Sequence, residues 1–92
     1  MNLESTNYQG ILNNGNKFKL RSKTSYNEIF NQFCLMVSVE EFIYDGWFTD
    51  SDKTISIWYT RPEERLESFN TCIKELENRI GFKLSKNNLK AA

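Results

Sequence analysis

An α+β domain built on an antiparallel sheet is the fold class this sequence predicts, and three observations predict it. Asn14-Gly15 sits between two stretches in which apolar and polar residues alternate, the signature of a β-hairpin. Ile43–Thr60 alternates in the same way around a turn-rich centre at Asp50–Lys53. Leu66, Phe69, Ile73, Leu76 and Ile80 recur at three- and four-residue steps after Pro62-Glu63-Glu64, which marks an amphipathic helix and its start. The predicted order is β-β-α-β-β-α: an antiparallel sheet of about four strands with two helices, most simply packed on one face. At 92 residues the chain is expected to form one domain, its core over about 8–84 and its termini, 1–7 and 85–92, loose.

The first hairpin is centred on Asn13–Asn16, because Asn14 and Gly15 both tolerate the positive φ of a type I′ turn. A two-residue loop then pairs Leu12 with Lys17, Ile11 with Phe18 and Gln9 with Leu20. Ile11, Phe18 and Leu20 share an inner face, and Lys17, Lys19, Arg21 and Lys23 line the outer one.

A helix is expected next, from Ser25 to about Val39. Ser25 and Glu28 have capping-box spacing, and Tyr26, Ile29, Phe30, Phe33, Met36 and Val37 form a stripe at helical spacing. The second hairpin follows, turning at Ser51-Asp52 and pairing Phe48 with Ile55, Gly46 with Ile57 and Tyr44 with Tyr59. Strand alternation then sets Trp47 and Trp58 on the opposite face. At least one of them is expected there, partly exposed and beside Asp45. The last helix starts near Pro62 and stops at Gly81, with Cys72 beside its apolar stripe and Phe82 packing back on the final turn. Its face is expected to pack on Phe48, Ile55, Ile57 and Tyr59.

The inventory of reactive groups is thin. There are no histidines, so the commonest general base and metal ligand are missing. The two cysteines, Cys34 and Cys72, are expected on different helices as free buried thiols and cannot make a four-ligand zinc site. The four glycines are scattered singly, so no phosphate-cradling loop is present. Among acidic neighbours, the side chains of Glu40-Glu41, one apart, diverge, and Asp50/Asp52, flanking a serine, suit a turn. No metal, no cofactor and no catalytic residue is expected. No apolar run approaches a bilayer span and no signal-peptide pattern is seen, so the chain is expected in the cytoplasm, away from membranes.

Charge is unevenly spread. The net charge is zero overall, yet residues 1–25 carry +3, residues 26–52 carry −6 with no basic residue, and residues 53–92 carry +3. The acidic middle holds Tyr44 and Trp47, which together suit a basic partner steered by charge and anchored by ring burial. The leading expectation is therefore a small non-catalytic protein-interaction module. An inhibitor or immunity-type protein that binds a basic enzyme such as a nuclease fits, through Glu40, Glu41, Asp45, Trp47, Asp50, Asp52 and Trp58. Its size and Asn- and Lys-rich composition are in the style of small bacterial or phage accessory proteins. The alternative is a nucleic-acid-binding accessory factor using Lys17, Lys19, Arg21 and Lys23. Against it stand the zero net charge and the inward direction of Phe18 and Leu20, which leave the basic face without a ring for stacking. The same lysines also guard an edge strand against aggregation. A small enzyme is the third reading, and a homodimer would use the same exposed rings or an unpaired edge.

Overall fold

The computed structural model describes residues 2–81, 84, 90 and 91, with side chains from Gln9 to Gly81 and at Leu84. Its elements are β1 (Asn2–Ile11), β2 (Lys17–Asn27), β3 (Gln32–Ile43), β4 (Gly46–Phe48), β5 (Thr54–Tyr59), α1 (Arg65–Ile80) and β6 (Lys90–Ala91). The strands form one sheet in the order β4-β3-β2-β1-β6, with β5 also paired to β3, and every pairing is antiparallel. The fold is α+β, but among the described residues one α-helix stands where two were expected. Strand β1 begins at Asn2, inside the stretch expected to be loose. Phe82 lies outside the described residues, as does most of the expected C-terminal tail.

The first turn is one residue longer than the sequence implies. Gly15 N–H donates to Leu12 O and Leu12 N–H donates to Asn16 O, both at 2.9 Å, and Gly15 takes φ +89. This is a three-residue loop closed by a glycine bulge. Ile11 therefore pairs with Lys17 rather than Phe18. A one-residue slip exchanges faces, so Leu12 is buried in the core and Ile11 is exposed.

The expected helix at Ser25–Val39 is instead the β2–β3 hairpin. Ser25 pairs with Cys34 in the ladder, which continues without interruption from Phe18↔Glu41 to Asn27↔Gln32. Phe33, Leu35, Val37, Val39 and Glu41 alternate toward the core, and the β-branched valines fit a pleated surface. Asparagines build the turn at the tip. Asn27 Oδ1 accepts from the N–H groups of Ile29 (2.9 Å) and Phe30 (3.2 Å), and Tyr26 Oη donates to Asn31 Oδ1 at 3.0 Å. Asn31 itself takes φ 51, a conformation asparagine tolerates.

The expected 43–60 hairpin is also corrected. β4 and β5 do not pair with each other; both run along the same edge of β3, end to end. The true hairpin turn is Tyr44-Asp45, both at positive φ. Phe48 lies opposite Glu41 and Thr54 opposite Ser38, so six steps on the edge strand match three on β3, an insertion of three residues. A short 3₁₀ turn at Ser51–Lys53 takes up this extra length.

Helix α1 matches its sequence signals. Pro62–Glu64 form a 3₁₀ turn leading in, and Gly81 closes the helix at φ 66, its N–H bonded to Glu77 O at 2.9 Å. Cys72 and Leu76 are fully buried against Leu35, Val37, Val39, Phe18 and Leu20, with Phe69, Ile73, Ile80, Ile55 and Ile57 around them. Leu66 is 67% exposed and leaves the packing face. Phe48 is likewise exposed. At 1.5 Å per residue the 16-residue helix spans ~24 Å, against ~36 Å for the 11 residues of β2. Arg65 donates to Thr24 at one helix end and Arg79 to the Asp52 carbonyl at the other, so the hairpin tip extends beyond the helix start.

Candidate functional site

Two faces of very different character follow from this packing. The inner face carries Phe18, Leu20, Leu35, Val37 and Val39 beneath α1. The outer face has no helix among the described residues. On it β2 presents Lys17, Lys19, Arg21 and Lys23 in one row, because alternate residues share a side. Beside them β3 presents Cys34, Met36, Ser38, Glu40 and Phe42, and the edge adds Trp47 opposite Phe42 and Trp58 opposite Cys34.

The three-residue insertion is what puts both tryptophans there. Trp47 and Trp58 have opposite parity in the sequence, and an odd insertion restores a common face. They are 37% and 52% exposed. Their β3 partners, Phe42 and Cys34, are eight residues apart, so the two side chains leave the backbone ~26 Å apart along one edge. This replaces the diagonal pair expected from the sequence. It also corrects the view that no ring accompanies the basic strand, since Phe42, Trp47 and Trp58 share its face. Lys19 Nζ lies 4.2 Å from the Trp47 ring centroid, and Trp47 packs on Phe42 at 5.2 Å.

The acidic residues do not gather into one patch. Glu40 is on the outer face, where it pairs with Arg21 at 3.5 Å. Glu41 points inward and is buried. It accepts from Asn16 (2.6 Å), Asn14 (3.1 Å) and Lys53 (3.2 Å), tying the first turn to the edge insertion. The Asn16 bond foremost, with Asn14 and Lys53, holds its pKa below the ordinary carboxylate value despite its burial. Asp50 pairs loosely with Lys53 at 3.8 Å, and Asp52 is exposed at the same turn. Asp45 is exposed beside Tyr44, which is 95% exposed. Strand alternation through Glu40 was the available signal for Phe42 and Met36 on the outer face, and the helical reading of that segment hid it.

Neither thiol is poised for chemistry. Both cysteines are free; burial raises the pKa of each, that of Cys72 to about 11 with Cys34 adding to the rise. They are protonated at neutral pH, and a protonated thiol is a poor nucleophile. Among the described residues no cluster of three or more metal-ligating groups occurs, and no helix is long and apolar enough to cross a membrane. No family model, curated protein or solved structure matches the chain.

Proposed function

We propose that this protein is a non-catalytic binding module whose open sheet face takes single-stranded nucleic acid. The observation that carries the reading is the placement of Lys17, Lys19, Arg21 and Lys23 on the same face as Phe42, Trp47 and Trp58, a face that no described helix covers. Cations two residues apart repeat every ~6.6 Å along a strand, close to the phosphate step of an extended single strand. Aromatic rings on the neighbouring rows offer stacking to unpaired bases, which a duplex keeps to itself. Among the described residues Glu40 alone opposes the row, and Arg21 already neutralises it.

Fluorescence anisotropy of labelled oligonucleotides over a salt series tests this. With three to four cations meeting phosphates at about 0.7 per contact, log K should fall against log salt with a slope of about −2 to −3. Binding that ignores salt, or that prefers duplex, overturns it.

A second reading has one specific observation in its favour. Tyr44 and Asp45 both hold positive φ at the β3–β4 turn and present a ring and a carboxylate beside Trp47. In that reading the module is an inhibitor or immunity-type protein that receives a basic protein such as a nuclease there. Capture of such a partner that Asp45→Ala with Trp47→Ala weakens, at unchanged melting temperature and without oligonucleotide binding, would favour it.

A further inference from the structure

The outer row of β2 does not end at Lys23. Its next two residues on that side, Ser25 and Asn27, line an open pocket of about 910 Å³ at the hairpin tip. Trp58, level with Ser25 across Cys34, lines it as well, together with Tyr26, Phe33 and Pro62. Its lining comes from both sides of the sheet: Ser25, Asn27 and Trp58 from the outer face, and Tyr26 and Phe33, with ring centroids 4.8 Å apart, from the inner face. The sheet outruns α1 at this end, which leaves the inner-face part of the lining uncovered by the helix. Asn27 is fixed by the two N–H groups it accepts in the turn.

We propose that this pocket receives one unstacked nucleobase, at the end of a strand whose phosphates follow Lys17 to Lys23. The proposal rests on the nucleic-acid reading and deepens it. Two features of the pocket specify a planar heteroaromatic ligand rather than an aliphatic one. On the face that carries the lysines, Trp58 supplies flat apolar surface for the ring. Ser25, Asn27 and Thr60 supply hydroxyl and amide groups for its polar edge. A path of cations leading to a ring pocket also fixes register: the strand can slide along lysines, but one base seats in one place. The site then spans about four nucleotides with a seat at one end, and the sheet face reads position as well as charge.

The probes are a six-residue oligothymidylate and a series of the same oligomer with one abasic residue moved along it. Stacking of one base on an aromatic side chain is worth ~5- to 150-fold in affinity. An abasic residue near one end should therefore weaken binding about tenfold, while abasic residues elsewhere weaken it less. Trp58→Ala should erase that positional difference and keep the salt slope, whereas Trp58→Phe should keep both. A positional profile that is flat, with the salt slope intact, overturns the pocket and leaves the nucleic-acid reading standing. A positional effect that survives Trp58→Ala overturns the assignment of Trp58. Failure of the unmodified oligomer to bind at low salt overturns the reading beneath.

Discussion

Lys19 holds its ammonium over the face of Trp47, 4.2 Å from the ring centroid, across the strand that separates them. A cation in that position shields the ring from one side, and Trp47 remains 37% exposed. In a Trp58→Phe background the emission should report Trp47 alone and be partly open to acrylamide. Lys19→Met should raise the quenching constant and cost about 0.5–1 kcal/mol in denaturant unfolding. Blue-shifted emission that quencher cannot reach would place this ring in the core.

Two leucines of the helix stripe should respond very differently to truncation. Leu76 is fully buried, so Leu76→Ala is expected to cost about 2–5 kcal/mol. Leu66→Ala should cost less than about 0.5 kcal/mol, as a surface change does. Urea midpoints for both variants settle it; equal costs would mean the helix is rotated on the sheet.

Glu41 links stability to pH. Its pKa is lowered from 4.5 in the folded chain, first by the Asn16 hydrogen bond, so the stabilisation is complete above the ordinary carboxylate value. It is lost as pH falls through the lowered one. Glu41→Gln should cost about 1–3 kcal/mol at pH 7, leaving donors of Asn14, Asn16 and Lys53 short of an acceptor. The gap between variant and parent should close as pH drops below about 4.5. A gap that is constant down to pH 3 would show that the charge of Glu41 contributes nothing.

Charge reversal separates the basic row from the fold. Lys17 and Lys23 are exposed and stand at the two ends of the row. Lys17→Glu with Lys23→Glu should leave the melting temperature nearly unchanged. It should weaken oligonucleotide binding at low salt and flatten the salt slope by about 1 to 1.5. An unaltered slope would remove the row from the interface.

Local sequence was enough where one signal spoke alone. Pro62, the Leu76 stripe and Gly81 all belong to α1, and the alternation of Lys17 to Lys23 gave the basic side of β2. Between Ser25 and Val39 two periods fit the same residues. Phe33, Met36 and Val37 lie at helical spacing, while Phe33, Leu35, Val37 and Val39 lie at strand spacing. Ser25 and Glu28 tipped the reading to a helix, but their capping geometry is unused because Ser25 is spent in the ladder with Cys34. Asn27 and Asn31, four residues apart at the tip, were the deciding cue. The open face was half legible. Its cations could be read off one strand, whereas its rings come from chain segments whose register depends on a turn and an insertion that no local preference fixes.

The edge insertion behaves like the spacing of a reading frame. Three surplus residues between β4 and β5 set the phase in which everything downstream is displayed, so Ile55, Ile57 and Tyr59 face the helix and Trp58 faces outward. A deletion of Ser51 alone would put the chain out of phase, pointing the isoleucines at water and Trp58 at the core. Removal of Ser51 and Asp52 together would restore it with a shorter detour. Length variation at this surface turn should therefore be tolerated in twos and refused in ones, a rule that a small library of loop deletions scored for soluble folded protein would expose.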